Sequence, residues 1–127
     1  MTKRRILLID DERDLCLVMK LNLERTGAYE VTVAYSGPAG LERAQAAEFD
    51  LVITDFNMPG MNGGDVLHAL KAMRPQAPVV LCSVYHDDAN SITEGVRREA
   101  DGLINKPIDH AKLLRTIEQA LANGAEG

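Results

Sequence analysis

Five short apolar runs, separated by longer segments with helical spacing, constrain the fold of this chain more than any other feature of its sequence. The runs lie at residues 6–9, 31–34, 51–53, 79–82 and 103–104. Most are apolar at consecutive positions, which is typical of parallel-sheet strands buried on both faces. Between the runs, apolar residues recur every three or four positions, as in amphipathic helices. The sequence therefore predicts five successive strand–helix units.

The predicted helices are marked in different ways. The first covers residues 14–25 and is closed by Gly27, and the second is the alanine-rich stretch at 39–47. Apolar stripes mark the third and fifth helices: Val66, Leu67, Leu70 and Met73 in one, and Leu113, Leu114, Ile117 and Leu121 in the other. The fourth helix is predicted from its acidic start and thin apolar stripe, namely Asp87, Asp88, Ile92 and Val96.

This alternation predicts the fold class. Strand–helix–strand crossovers are right-handed and produce parallel sheets. Five units in 127 residues are too few for a closed eight-unit barrel. We therefore expect an α/β fold with a doubly wound, five-stranded parallel sheet, flavodoxin-like (βα)5, in strand order 2-1-3-4-5. We expect a single domain over residues 1–127, with a core at about 4–122 and a tail at 123–127.

Charge and hydropathy exclude several function classes. The chain has 19 acidic residues against 14 lysines and arginines, a net charge of −5 that disfavours direct nucleic-acid binding. No apolar run approaches the roughly 18 residues of a membrane span, so we expect no membrane contact and a cytoplasmic location. Cys16 and Cys82 lack metal-ligand spacing and are predicted to be small buried apolar residues.

Polar and charged residues follow the predicted strands at their carboxyl ends. Asp10 and Asp11 follow the first strand, Asp55 the third, Ser83 the fourth and Lys106 the fifth. In the order 2-1-3-4-5, the topological switch point lies between strands 1 and 3, where open parallel sheets bind their ligands. The three carboxylates are therefore expected to converge there.

The chemistry of this set indicates a metal-assisted anion site. Clustered carboxylates repel one another and need a cation, and an incomplete cage of oxygen ligands suits Mg²⁺. A lysine and a hydroxyl nearby would neutralise phosphoryl oxygens during transfer to a carboxylate nucleophile. Taken singly, each residue has an ordinary explanation: helix-start acids for Asp10 and Asp11, a turn former for Asp55, a strand-end hydroxyl for Ser83, and a solvated charge for Lys106.

Four separated motifs, in this order, resemble the receiver domain of two-component response regulators. They are IDDE at residues 9–12, DFNMPGMNG at 55–63, Ser83, and KP at 106–107. The resemblance covers residues 6 to about 121. It implies that Asp55 accepts a phosphoryl group from the phosphohistidine of a sensor histidine kinase or a phosphotransfer protein.

The same resemblance implies roles for the other site residues. The ligands of Mg²⁺ (or Mn²⁺) would be Asp11, Asp55, the backbone carbonyl of Asn57 and, through a water molecule, Asp10. Lys106 and Ser83 would bind the phosphoryl group. The surface of helix 4, strand 5 and helix 5 would then change and signal to a downstream protein target or to an output domain outside these residues. A bacterial protein that is a monomer or a weak homodimer is expected.

Two positions depart from the family pattern. Leu103 stands where the family usually has an aromatic residue that swings inward on activation, so output through that side chain is expected to be weaker. Val84 stands where a small residue is common, and with Tyr85 it is expected to narrow access to Asp55. Slower phosphoryl exchange is the predicted consequence.

Other function classes fit the sequence less well. An aspartate-nucleophile phosphohydrolase of the haloacid-dehalogenase type needs a second aspartate as general acid, where this chain has Asn57. A flavin or nucleotide binder would need a glycine-rich phosphate loop after the first strand. An inactive receiver would be expected to lack Asp11, Asp55 or Lys106, and all three are present. An interaction module that works without phosphorylation stays open as an alternative.

Overall fold

Strands and helices alternate in this computed structural model, which describes residues 2–84 and 94–126, the last three by their backbone alone. The elements, in chain order, are β1 (Arg4–Ile9), α1 (Arg13–Arg25), β2 (Tyr29–Ala34), α2 (Gly37–Ala46), β3 (Leu51–Asp55), α3 (Gly63–Met73), β4 (Val79–Val84), α4 (Glu94–Glu99), β5 (Gly102–Lys106) and α5 (His110–Glu126).

The strands form one sheet in the order β2-β1-β3-β4-β5, and every neighbouring pair is parallel. The predicted fold class is confirmed. At the carboxyl ends of the central strands, Ile9 of β1 lies opposite Thr54 of β3. The residues that follow in the chain, Asp10 and Asp55, are thereby brought to the same edge of the sheet.

The apolar core lies on both faces of the sheet. On one face, Ile6 and Leu8 of β1 belong to a buried cluster with α1 and α5. On the other face, Leu7 and Ile9 belong to a cluster with α2 and α3. Successive residues of a strand point to opposite faces, so burial on both sides requires the unbroken apolar run seen in the sequence. Covering helices leave the end of the sheet as the open place for a site.

Predicted and observed boundaries differ at both ends of the elements: β3, β4 and β5 each end two residues after the predicted apolar run, at Asp55, Val84 and Lys106. β1 starts at Arg4 and β2 at Tyr29, two residues before the predicted apolar runs. Arg4 and Arg5 are exposed and carry no apolar signal, and the exposed Glu30 separates the buried Tyr29 from the run that follows. α2 starts at Gly37 rather than 39, after Ser36, whose hydroxyl accepts a hydrogen bond from the Ala39 N–H at 3.2 Å. Of the predicted fourth helix, Asp87, Asp88 and Ile92 lie outside the described residues.

Two further predictions concern the cysteines and membrane contact. Cys16 and Cys82 are buried free thiols, as predicted. Burial raises the pKa of each thiol to about 12, so neither is a reactive thiolate near neutral pH. In the described part of the chain, no helix has the length and apolar character needed to cross a membrane.

Candidate functional site

The predicted site residues gather at the carboxyl end of the sheet. Asp10 directly follows β1, Asp55 is the last residue of β3, and Lys106 is the last residue of β5. Ser83 is the penultimate residue of β4. Asp10 and Asp55 are each 2% exposed and Ser83 is 9% exposed. Four polar side chains therefore lie at the ends of strands in an otherwise apolar core, which is costly unless they are paired or bind a ligand.

Three carboxylates meet at this edge. Oxygen atoms of Asp10, Asp11 and Asp55 lie within 4.8 Å of one another, and Asp11 is the exposed member. Burial, partly opposed by hydrogen bonds, raises the pKa of the Asp10 carboxyl. Burial and then the charge of Asp10 raise the pKa of Asp55 to about 6. The cluster thus holds negative charge at a cost that a bound cation would relieve.

Lys106 supplies the positive charge of the site. Its Nζ lies 2.9 Å from Asp10 Oδ2, 2.8 Å from Glu12 Oε2 and 3.4 Å from Asp55 Oδ1. Burial alone would lower the pKa of Lys106, but the hydrogen bonds to Glu12 and Asp10 and the surrounding negative charge outweigh it and hold the pKa above its usual value. Lys106 is therefore a permanent cation at neutral pH. The bond that precedes Pro107 is a cis peptide.

The segment between β3 and α3 is held against the site by backbone contacts. The Gly63 N–H donates to the Phe56 carbonyl at 2.9 Å. A Cβ atom on Gly63 would overlap the backbone of Asp55 and Phe56, so only glycine allows this approach. The Asn57 side-chain oxygen accepts a hydrogen bond from the Val84 N–H at 3.3 Å, which links this segment to the end of β4. Asn57 is thereby fixed beside Asp55.

A cavity of about 680 Å³ opens over Asp55. Its acidic side includes Asp11 and Glu12, and its apolar side includes Val84 and Ile108. Val84 is 40% exposed and lines this cavity together with Asp55; its predicted effect on access stays a prediction. The predicted contribution of Tyr85 lies outside the described residues.

The site fits a hard divalent cation. Oδ1 of Asp55 is buried and accepts no hydrogen bond from the described residues, although the Lys106 ammonium is nearby. A buried carboxylate oxygen without a donor is the kind of atom that a cation would satisfy. The surrounding donors are oxygen atoms from Asp10, Asp11 and Asp55, and oxygen ligands suit Mg²⁺ or Mn²⁺.

Sequence reasoning missed one participant of the site, Glu12. It stands in the motif at residues 9–12, where the sequence pattern assigned it no role of its own. Its contact with Lys106 joins residues 94 positions apart. The one available signal was the third consecutive acid of the motif, which has the longer side chain and can reach a strand three places away in the sheet.

Comparisons with known proteins agree with this geometry. A family model described as the response regulator receiver domain matches residues 6–118. The uncharacterized transcriptional regulatory protein YkoG of Bacillus subtilis is 34% identical over 121 residues, which cover 95% of this chain and 52% of YkoG. The transcriptional regulatory protein ZraR of Escherichia coli K12 is 34% identical over 118 residues, covering 93% of this chain and 26% of ZraR. The chain thus spans about half the length of one relative and about a quarter of the other.

Solved structures show the same similarity. A CheY-like response regulator receiver domain protein from Methanospirillum hungatei superposes with a TM-score of 0.88 at 29% identity, covering 98% of both chains. A response regulator receiver domain protein from Clostridium thermocellum gives a TM-score of 0.85 at 30% identity, covering 94% of this chain and 95% of its own. With its fold, its acidic cluster and its lysine in place, the chain belongs to the response regulator receiver domain family.

Proposed function

We propose that this chain accepts a phosphoryl group on Asp55, in a Mg²⁺-dependent reaction, from the phosphohistidine of a sensor histidine kinase or a phosphotransfer protein. It is a signalling domain that catalyses only its own phosphorylation and dephosphorylation. One observation carries the proposal: a buried carboxylate oxygen without a hydrogen-bond donor among the described residues lies beneath a cavity, between an acidic cluster and a lysine.

The site residues would have separate roles in binding the metal ion and the phosphoryl group. Mg²⁺ would be held by Asp11, Asp55 and the backbone carbonyl of Asn57, with Asp10 acting through water. When bound, it would supply charge neutralisation for the carboxylates and the incoming phosphoryl oxygens. Lys106, already 3.4 Å from Asp55 Oδ1, would neutralise a further phosphoryl oxygen.

Group transfer needs only one bond exchange. A carboxylate oxygen of Asp55 forms a bond to phosphorus while the bond between phosphorus and the donor imidazole nitrogen breaks, and the imidazole leaves with that electron pair. The hydroxyl of Ser83 would donate a hydrogen bond to the transferred group. The apolar side of the cavity, which includes Val84, would keep bulk water away from the aspartyl phosphate.

The signal would leave through the α4–β5–α5 surface. No described side chain of α4 is fully buried, and Val96 packs only partly against the core, so this packing resists a shift of the helix weakly. A phosphoryl group adds charge and acceptor oxygens, and the movement of Ser83 and Lys106 towards them would bias that surface. The signal would pass to a downstream protein or to an output domain, as the longer relatives named transcriptional regulators suggest.

The proposal is tested by intact mass after incubation with Mg²⁺ and acetyl phosphate. We expect one phosphoryl group on the wild-type protein and none on Asp55→Asn or in the presence of EDTA, because the nucleophile or the cation is then missing. An adduct that persists in Asp55→Asn would place the nucleophile elsewhere. A wild-type protein that binds Mg²⁺ but takes no phosphoryl group from acetyl phosphate or a phosphohistidine donor would favour the phosphorylation-independent interaction module.

A further inference from the structure

The shortest contact of Lys106 is with a residue that the proposed transfer does not use. Glu12 Oε2 lies 2.8 Å from Lys106 Nζ, compared with 3.4 Å for the Asp55 oxygen. Glu12 occupies the N-cap position of α1, yet its side chain accepts no capping hydrogen bond from that helix, whose residues are all described. Its carboxylate instead accepts a hydrogen bond from the Lys106 ammonium.

The two ends of this contact differ in freedom. The Glu12 side chain is 60% exposed and Lys106 only 12%. The backbone N–H of Glu12 donates to Asp10 Oδ1 at 2.9 Å, which fixes the start of α1 beside the carboxylate cluster. The Glu12 carboxylate is therefore the solvent-exposed partner of the ammonium, whereas Asp55 is its buried partner.

A phosphoryl group on Asp55 would bind the same Lys106 ammonium that Glu12 contacts. Lys106 has three N–H donors, and carboxylates of Asp10 and Glu12 already lie within hydrogen-bond distance of it. An aspartyl phosphate would present further acceptor oxygens and additional negative charge next to Asp55. With two donors directed at Asp10 and Glu12, one donor is left for several phosphoryl oxygens, so a closer approach of Nζ to the phosphoryl group lengthens its contact with Glu12.

We propose that Glu12 is a positioning residue that draws Lys106 towards the mouth of the cavity and competes with the phosphoryl group for its ammonium. This inference rests on the proposed function of Asp55 and adds a residue that regulates it. The effect depends on direct contact between Glu12 and Lys106 and not on the negative charge of Glu12 alone. A shorter acid at the same position would keep the charge but would not reach Lys106.

The test compares Glu12→Gln and Glu12→Asp with the wild-type protein. Asp14→Asn is the matched control, since Asp14 is an exposed acid of the same helix whose side chain makes no hydrogen bond or ion pair with the described residues. We expect Glu12→Gln and Glu12→Asp to be phosphorylated by acetyl phosphate roughly three- to tenfold faster, the scale of one charge-assisted contact. Asp14→Asn should keep the wild-type rate.

A second readout requires no phosphoryl transfer. In the metal-free protein, NMR of the lysine Nζ groups should show slow proton exchange at Lys106 in the wild type. Exchange should be several-fold faster in Glu12→Gln and Glu12→Asp, because one carboxylate partner is lost. Thermal unfolding of each variant checks that the fold is kept.

The outcomes separate this inference from the function on which it rests. If the wild-type protein takes a phosphoryl group but Glu12→Gln reacts no faster, competition for Lys106 is excluded. If Glu12→Gln reacts faster while Glu12→Asp matches the wild type, charge alone is responsible and the positioning role is wrong. If the wild-type protein takes no phosphoryl group from any donor, the function fails, and the competition with it.

Discussion

The surroundings of Asp55 disfavour the charged form of its carboxyl group. Its pKa rises from a usual value of 3.8 to about 6, first through burial and then through the charge of Asp10. The folded state therefore binds this proton more tightly than the unfolded chain does. The stability that protonation contributes is present below the unfolded value and is lost as the pH rises through the folded one.

A neutral residue at this position should therefore stabilise the metal-free protein. We expect Asp55→Asn to raise the free energy of unfolding by about 2 kcal/mol above pH 6, since two pKa units correspond to nearly 3 kcal/mol and the amide recovers part of that. The advantage should shrink as the pH falls from 6 to 4. Urea unfolding at a series of pH values measures it.

The control for that series is Glu48→Gln, which removes an exposed carboxyl that precedes β3, whereas Asp55 ends that strand. It should leave the pH profile unchanged. A constant difference between Asp55→Asn and the wild type across the whole series would show that the Asp55 carboxyl titrates normally in the fold, contrary to its burial.

Val84 is the residue at which access to Asp55 can be tested. It is 40% exposed and lines the apolar side of the cavity. We expect Val84→Ala to speed phosphorylation by acetyl phosphate several-fold, because removing the two methyl groups widens the mouth. The measurement is the time course of the intact-mass adduct.

Leu103→Ala is a matched control for that variant. Leu103 is 38% exposed, close to Val84 in exposure and apolar character, but it lines a different surface depression beside α5. Its truncation should leave the rate of adduct formation unaltered. Equal acceleration in both variants would point to a general loosening of the fold. An unchanged rate in Val84→Ala would show that Val84 does not restrict access to Asp55.

At the residue scale, the sequence predicts those site residues that are charged and stand at the end of a predicted strand. Asp10 directly follows a strand, and Asp55 and Lys106 each end one, so their convergence follows from topology. The contact between Glu12 and Lys106 does not follow in this way. It depends on the side-chain conformations of residues on α1 and β5, which no local pattern encodes.

Among the elements, α1 does more than cover the sheet. β2 is an edge strand, and the N–H and carbonyl of Val31 both bind side chains of α1. Glu24 Oε2 accepts from the Val31 N–H at 3.0 Å, and Lys20 Nζ donates to the Val31 carbonyl at 2.7 Å. The hydrogen bond from Val31 lowers the pKa of Glu24. These contacts occupy backbone groups that would otherwise offer a template for another strand.

The amino ends of the strands share a repeated device. Asp50 precedes β3 and exchanges hydrogen bonds with Arg5 of β1: its N–H donates to the Arg5 carbonyl, and its carboxylate accepts from the Arg5 N–H at 2.7 Å. Asp101 precedes β5 and does the same with Val79 of β4, at 2.8 Å. Lys71 of α3 adds an ion pair to Asp101 at 2.7 Å.

Removing one of these aspartates should cost stability without affecting the site. We expect Asp101→Ala to lower the free energy of unfolding by about 1–3 kcal/mol, because the Val79 N–H loses its acceptor and the Lys71 ammonium loses its carboxylate partner, keeping its hydrogen bond to the Ala77 carbonyl. Denaturant unfolding measures this loss. The folded fraction should still take a phosphoryl group on Asp55 at the wild-type rate, and a changed rate would mean that the two ends of the sheet are coupled.

Element types were predictable because continuous apolar runs and helical stripes are different patterns. Element starts were less so. The first residues of β1 are Arg4 and Arg5, which are exposed, and the ion pair and backbone contacts that order them come from Asp50, 45 positions away from Arg5. Contacts of that range fix a strand boundary without leaving any periodic signal in the local sequence.

For the whole molecule, strand order is the step from which the rest follows. An order of 2-1-3-4-5 makes β1 and β3 neighbours, so acids separated by more than forty residues meet at one edge. The topology was predictable from five strand–helix units and the handedness of crossovers. The cavity volume over Asp55 and the exposure of Val84 were not, since they depend on how side chains pack.

The aspartate contacts at the amino ends have a consequence for how this protein tolerates change. Acids that stabilise the fold, Asp50 and Asp101, stand at one end of the sheet, and acids that strain it stand at the other. Sequence drift at the reactive end can retune rate or donor preference while the opposite end keeps the chain folded. A library of variants restricted to the cavity should thus yield many folded proteins with altered kinetics, whereas one restricted to the strand starts should yield mostly losses of expression.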